Sequence, residues 1–378
     1  MSISYRRPGR LLAPVDVDFA AYDAIALCAG PGGFDEANRL LGSPLRILGV
    51  ETDANACATA VAAGHDRVRM DMRQVTPAML AEVKGLIITT PCPTFSTSGK
   101  GSGRVDYQAM LDGITCLGSI ECGDDCEHWR AVDEEVSDAR TALVTHAMHL
   151  LIRTHTLQWY VAEQVPALTL AWEDTLAELS AGDVDWDALD DPDAEFDGNA
   201  PHDFGWMGLQ VEILDALEFG SIARRTRAYT WGSHNRPLPL LAAPTVDEIA
   251  AVPTLAQALG WRPGERVRTR GSRRPTGGNL FSADGPSWCL TGKARSWERE
   301  RDGQRLSPAQ AGFINGFPID YPWQGSRTSQ FQQIGDVVHP LVGAAVLGSA
   351  LGMSAQDVRE QLNVAGPMNR SAVMPSAV

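Results

Sequence analysis

Short unbroken apolar runs alternate with helically spaced ones through the first 165 residues. Ala24-Ile25-Ala26-Leu27, Arg46-Ile47-Leu48-Gly49-Val50, Arg67-Val68-Arg69-Met70, Leu86-Ile87-Ile88-Thr89 and Trp159-Tyr160-Val161-Ala162 read as strands. Each is too short for a helix, and all but Arg67-Val68-Arg69-Met70 are too apolar for a solvated face, as buried strands are. Between them, Phe34 to Leu41, the alanine-rich Ala54 to Ala63 and Leu143 to Thr154 carry helical patterns. Strands separated by helices in this rhythm predict an α/β fold with a doubly wound, mostly parallel sheet. Residues 107–137 and 173–204 interrupt the rhythm and read as insertions. Beyond Trp231, Pro, Gly and Arg dominate to about Gly303, which predicts a small irregular domain over 231–306. The helical pattern resumes at Ser307, and Pro340 to Leu351 is a strongly apolar helix. The larger lobe is therefore expected to span 1–230 and 307–378.

Charge changes the picture by its distribution. The formal net charge is −15, which argues against a polyanionic partner. Twelve of the acids, however, fall between Trp172 and Asp203, a stretch without Lys or Arg. Outside it, 35 acids face 32 bases. From Arg262 to Arg305 eleven bases meet five acids, as expected of a nucleic-acid-facing module. No run of 18 apolar residues is present, so no membrane span is expected. The N-terminus lacks the apolar core of a signal peptide. Seven scattered cysteines suit a reducing compartment better than a disulfide framework.

Candidate chemistry clusters where the strands end. Thr90-Pro91-Cys92-Pro93 follows the fourth strand. Its thiol lies at the sheet edge where open α/β folds place ligands, and a thiolate there is a nucleophile. Ala29-Gly30-Pro31-Gly32-Gly33 follows the first strand and opens a helix. The spacing is not that of the dinucleotide fingerprint. Glu51, with Thr52 beside it, ends the second strand, where a carboxylate accepts hydrogen bonds from a ribose diol. Asp71 and Met72 end the third, where an adenine amino group would lie. Together these suit an adenosine ligand without a pyrophosphate.

In this order the residues resemble the DNA cytosine-5 methyltransferase family. Ala162-Glu163-Gln164-Val165 looks like the family's Glu-Asn-Val motif. Arg225-Thr226-Arg227 looks like the end of its Gln-x-Arg-x-Arg motif. Arg305-Leu306-Ser307-Pro308 with Gly316-Phe317-Pro318, and Gln333-Ile334-Gly335-Asp336-Val337-Val338-His339-Pro340, look like its ninth and tenth motifs. The resemblance implies a Rossmann-like, S-adenosylmethionine-dependent methyltransferase fold with a small target-recognition domain. It implies Cys92 as the nucleophile, Glu163 as donor to ring nitrogen 3, Arg225 on the base carbonyl and Arg227 orienting Glu163. It implies a cofactor site of Cys28, Ala29, Gly30, Gly32, Gly33, Glu51, Thr52, Asp71, Met72, Pro91, Asp336 and Val337. Double-stranded DNA is the implied partner of a monomeric cytoplasmic enzyme, bacterial or phage-encoded, of the kind used in restriction-modification. The chain departs from the pattern at Cys28 (an aromatic in the family), Pro93 and Ala223 (each Gln), Gln310 (Glu) and Asp336 (Asn). Action on RNA, transfer of a modified group from an altered cofactor, or a non-catalytic DNA-binding or DNA-mimicking relative are the other readings.

Cys116, Cys122, Cys126 and His128 lie in the first insertion. Their spacing could supply four zinc ligands but lacks the paired Cys-x2-Cys knuckles, so no metal is expected. Trp231 and Trp261, beside the basic module, are the candidate base-stacking aromatics.

Overall fold

In a computed structural model of the protein, residues 8–91, 103–118, 126–169, 206, 208–234, 236–269 and 278–364 are described. Cys92, Cys122, Arg270, Arg273, Arg274 and the acidic stretch 173–204 lie outside them.

Eight strands form the main sheet: β1 (Leu11–Leu12), β2 (Ala24–Leu27), β3 (Ile47–Glu51), β4 (Asp66–Arg69), β5 (Gly85–Ile88), β6 (Trp159–Gln164), β7 (Gly208–Asp215) and β8 (Thr226–Ser233). Their order is β1-β4-β3-β2-β5-β6-β8-β7. Pairing is parallel from β1 through β6, and β8 runs antiparallel to both β6 and β7. Strand order reverses direction at β2, which lies between β3 and β5. In such sheets the crevice at that reversal, beyond the strands' carboxyl ends, takes the ligand.

The period-2 alternation of the central strands sorts their side chains into two cores. Ile25, Leu27, Leu86, Ile88 and Tyr160 face one layer, which includes Met110, Ile114 and Met148. Those three belong to α3 (Gly103–Gly118) and α6 (Ala142–Arg153), numbered after α1 (Gly33–Leu40) and α2 (Ala54–Ala62), with α4 (Glu127–Arg130) and α5 (Val132–Glu135) between them. Ala24, Ala26, Ile87, Trp159 and Val161 face the opposite layer, with Phe34 and Ala37 of α1 and the helix Pro340–Ala350. Sequence-distant residues thus bring the helix Pro340–Ala350 against the segment after β2. Local chemistry starts the helices: the Asp53 carboxylate accepts from the Ala56 N–H to cap α2. Ser307 and Gln310 form a reciprocal capping box for the helix Pro308–Ile314.

A three-stranded sheet, β9 (Arg266–Arg268), β10 (Leu280–Ser282) and β11 (Glu298–Arg299), lies in the region after β8. Val267 and Phe281 join a third core that also holds Phe313, Phe331 and Ile334. β8 continues to Ser233, across the position at which the sequence pattern changes. Trp231 is in the core, 1% exposed, with its indole N–H donating to Ser349 Oγ. The expectation that it stacks on a base is therefore corrected: β8 is internal, and its period-2 alternation turns this ring into the second core. Among the described residues, no helix is long and apolar enough to cross a membrane.

Candidate active site

Of the sequence-predicted residues that are described, Cys28 to Gly33, Glu51, Thr52, Asp71, Met72, Pro91 and Glu163 lie at or just beyond the carboxyl ends of β2 to β6, Arg225 and Arg227 at the start of β8, and Asp336 and Val337 at the end of the helix Arg327–Asp336. After β2 the chain turns sharply: Cys28 takes φ 54°, Gly30 φ 58° and Gly32 φ 117°. Only the glycines adopt this region without steric cost. The space in front of Gly30 is open, with no atom within 4 Å of where a Cβ would sit. Gly32 and Gly33 are instead hemmed in by protein: a Cβ at Gly32 would lie 2.7 Å from the Tyr321 hydroxyl, and one at Gly33 2.6 Å from the Val338 carbonyl. Val337 also packs against Gly33, so this part of the tenth-motif segment supports the loop from behind.

The Glu51 carboxylate is fixed by backbone donors. Its Oε2 accepts from Gly30 N–H at 2.8 Å, and its Oε1 from the N–H groups of Thr52 and Asp53, each at 2.8 Å. The Ala29 N–H donates to the Val50 carbonyl at 3.1 Å. Loop and acid are thus preorganised together, and a carboxylate retains further lone-pair capacity for a ligand diol. Asp71 caps the short 3-10 turn Met72–Gln74 and holds Arg73, whose guanidinium reaches its Oδ2 at 2.6 Å. Cys28 Sγ lies 3.5 Å from Met72 Sδ. Burial, followed by the charges of Glu51 and Asp71, pushes the Cys28 thiol far up, so it stays neutral.

A buried ionic group missed by the sequence reading supports this loop. The Arg67 guanidinium, fully buried, donates to both Asp35 oxygens, at 3.1 and 2.7 Å, and to the Gly30 carbonyl at 3.3 Å. His65 Nε2 and Arg39 each contact Glu36 Oε1, at 2.8 and 2.7 Å. The signal was present: Asp35-Glu36 in the first turn of an otherwise apolar-faced helix needs cations nearby once buried.

On the other side, β6 carries Glu163, 8% exposed, opposite Tyr229 of β8. Arg227 Nε sits 3.1 Å from Glu163 Oε1. Burial lifts the Glu163 pKa, with Arg227 and then Arg225 pulling it back. Arg225 is buried, donates to the Gly335 carbonyl at 2.8 Å, and leaves Nε without a partner among the described atoms. Burial lowers its pKa, with Arg227 adding to the effect. Asp336 is exposed and receives a hydrogen bond from Gln332. Its charge acts on Glu163 and on Arg225, Arg227 and Arg140.

Two further residues position these groups. Gln164 Nε2 donates to both the Thr90 carbonyl and Thr90 Oγ1, the latter at 2.9 Å. Thr89 Oγ1 donates to the carbonyls of Leu27 and Cys28 at 3.1 and 2.9 Å. The chain is therefore clamped up to Pro91, the last described residue before Cys92 in sequence. Asp215 accepts from the Arg225 N–H at 3.1 Å and from Thr226 Oγ1 at 3.2 Å, fixing the start of β8. Sequence reasoning missed β7; the alternation Leu209-Gln210-Val211-Glu212-Ile213 was the signal that could have found it, and with it the turn that Asp215 closes.

Residues 22–113 match the family model of the C-5 cytosine-specific DNA methylase. The chain is 28% identical over 99 residues to the type II methyltransferase M1.HphI of Haemophilus parahaemolyticus, covering 25% of this chain and 27% of that protein. The alignment thus spans about a quarter of this curated relative. Among solved structures, Dnmt2 of S. pombe superposes with a TM-score of 0.57 at 14% identity, over 88% of this chain and 98% of that one. A Spodoptera frugiperda DNMT2 variant gives 0.53 at 13% identity, over 87% and 99%. A putative DNA modification methyltransferase encoded within an E. coli prophage gives 0.52 at 15%, over 87% and 98%. At these identities the structural matches speak for the fold. The chain is thus related to the C-5 cytosine-specific DNA methylase family through residues 22–113, on the fold of the Rossmann-like methyltransferases.

Proposed function

We propose that this chain methylates carbon 5 of cytosine in double-stranded DNA, using S-adenosylmethionine and a covalent adduct from Cys92. One observation carries the reading. Glu163, buried and paired with Arg227 at 3.1 Å, adjoins Gln164, which clamps Thr90 two residues before Cys92. The acid and the strand end leading to the thiol are thus positioned by consecutive residues of one strand.

The loop fits the cofactor. Gly30 offers open approach, and Glu51 is aimed by three backbone donors to hold a ribose diol. Asp71, after release from Arg73, would take the adenine amino group. When bound, S-adenosylmethionine supplies the electrophilic methyl that the activated carbon 5 takes up. Carbon 5 of cytosine is a poor nucleophile until a thiolate adds at carbon 6. The Cys92 thiolate makes that addition. Glu163, whose pKa burial raises against the pull of Arg227 and Arg225, would donate a proton to ring nitrogen 3 as the charge develops. Arg225 offers its unpartnered Nε to the base carbonyl. Loss of the carbon 5 proton and expulsion of the thiolate restore the ring. A stacked base cannot present carbon 6 to a thiol, so the cytosine must leave the helix. Residues 231–306 would then read the flanking sequence.

The test is trapping on 5-fluorocytosine, whose fluorine cannot leave as a proton does, so the adduct persists. Duplex DNA bearing it, with enzyme and cofactor, should yield a complex stable to denaturing electrophoresis. Cys92→Ser should abolish the complex and Glu163→Gln should slow it. Trapping by Cys92→Ser, or no trapping while cofactor binds, would sink the mechanism. Trapping on RNA but not DNA would keep the chemistry and overturn the substrate.

A further inference from the structure

We propose that Cys116, Cys126 and His128 form a structural metal site, and that the metal is zinc. The three donors come from two elements, the last turn of α3 and the start of α4. Their ligand atoms all lie within 4.8 Å of one another. Cys116 Sγ is 3.7 Å from Cys126 Sγ, and Cys126 Sγ is 3.6 Å from His128 Nδ1. A tetrahedral ion with Zn–S near 2.3 Å and Zn–N near 2.0–2.1 Å separates its ligand atoms by about 3.8 Å (S to S) and about 3.6 Å (S to N). The observed edges match both values. The 3.7 Å between the two sulfurs is far beyond a sulfur–sulfur bond.

The setting suits a structural ion. Both sulfurs are partly buried against the first core, whereas His128 is exposed, giving the ion a dry base and a wet side. The donors are held by packing. Trp129, 2% exposed, stacks on His149 with ring centroids 4.5 Å apart and meets His146 edge-on. Arg153 donates to the Leu117 carbonyl at 3.2 Å, beside Cys116. Two thiolates and an imidazole select zinc over magnesium or calcium, which want oxygen. Binding releases the two thiol protons to solvent and puts both sulfurs on the metal. The fourth position goes to water or a further donor; Cys122 lies outside the described residues and forms no part of this assignment.

Its donors lie in the last turn of α3 and at the start of α4, not at the strand ends that carry Glu51, Asp71 and Glu163. The site would instead cross-link the far end of α3 to the α4 segment, closing the stretch between Cys116 and Cys126.

The test uses the full chain, purified without a metal-affinity step. Mass spectrometry of metals should find close to one zinc per chain. Cobalt(II) exchanged into the site should show thiolate-to-metal charge transfer and tetrahedral ligand-field bands. Cys116→Ser and Cys126→Ser should lose both. Because loss of a half-buried thiol can disturb folding, His128→Ala provides a second test at an exposed position. With circular dichroism unchanged, its zinc affinity should fall by more than the about 10–100-fold that supporting groups cost. Wild-type protein without zinc or cobalt spectrum would overturn the proposal. So would zinc retained by all three variants, or a Cys116–Cys126 disulfide in the native protein.

Discussion

At the scale of single residues, the site depends on groups held by backbone or by nothing at all. Glu51 accepts three backbone N–H groups, so its removal has two separable effects. Glu51→Ala should lower the baseline melting temperature, because those donors lose their acceptor. It should also erase the shift caused by S-adenosylhomocysteine, which in wild type amounts to about 2.7 kcal/mol at a hundredfold excess over Kd. A ligand shift that survives in Glu51→Ala would remove the carboxylate from the ribose role. His339 is the opposite case: fully buried, with neither ring nitrogen partnered among the described atoms. Burial, helped by Arg225, pushes its pKa from 6.5 down to about 3. Above 6.5 both folded and unfolded states are neutral, so this contribution to stability is complete. As pH falls from 6.5 towards 3, the unfolded chain takes up a proton that the fold refuses, and stability drops. His339→Leu should flatten that acid slope. It should also raise neutral-pH stability by about 1–3 kcal/mol, the cost of a buried unsatisfied group. Melting temperatures of both proteins from about pH 7 to about pH 5 decide the matter; parallel curves would show that the ring is solvated in the fold.

At the scale of elements, β6 couples chemistry to support. Alternation along a strand turns Glu163 and Gln164 to opposite faces. One joins Arg227 and the other clamps Thr90. Gln164→Leu keeps the bulk and removes both hydrogen bonds. It should slow covalent trapping by about 10²-fold, the cost of a misplacement near 1 Å, while leaving the S-adenosylhomocysteine shift intact. Equal loss of trapping and ligand binding would show a general structural role instead. The elements themselves were legible to within a residue or so: Ala24–Leu27 as a strand, Phe34 to Leu41 against Gly33–Leu40, Ala54 to Ala63 against Ala54–Ala62. β7 escaped because its alternating face is half exposed, with Ile213 52% accessible, and it lacks the solid apolar run of the central strands. Pairing with β8, which is antiparallel, is what holds it.

For the whole molecule, several bases of the basic module are paired with acids among the described residues. Arg266 and Arg268, on one face of β9, both pair with Glu300, at 3.3 and 3.1 Å. Arg301 pairs with Glu265 at 3.3 Å, and Arg299 with Asp302. Much of the basic module is therefore internally compensated. If this surface meets DNA phosphates, Glu300→Gln should release two arginines to them. The slope of log K against log salt should then steepen by about 0.9 to about 1.8, since each phosphate contact contributes about 0.9. An unchanged slope would take β9 off the DNA-facing surface.

What the sequence by itself determined was local. Backbone geometry sets the periods of strand and helix, so the alternation of β2 to β6 with helices, and hence the α/β class, could be read directly. The order of Gly30, Glu51, Asp71 and Glu163 on successive strand ends was equally legible, because parallel strands put their carboxyl ends on one edge. Three-dimensional convergence was not. The Asp35–Arg67 pair, the Gln164–Thr90 clamp, the Arg225–Gly335 bond and the approach of Cys116 to Cys126 and His128 join residues with no periodic relation. Such contacts follow from which sheet face a helix buries and where the chain returns. Those outcomes are set by summed packing across the molecule, and only the tertiary structure expresses them.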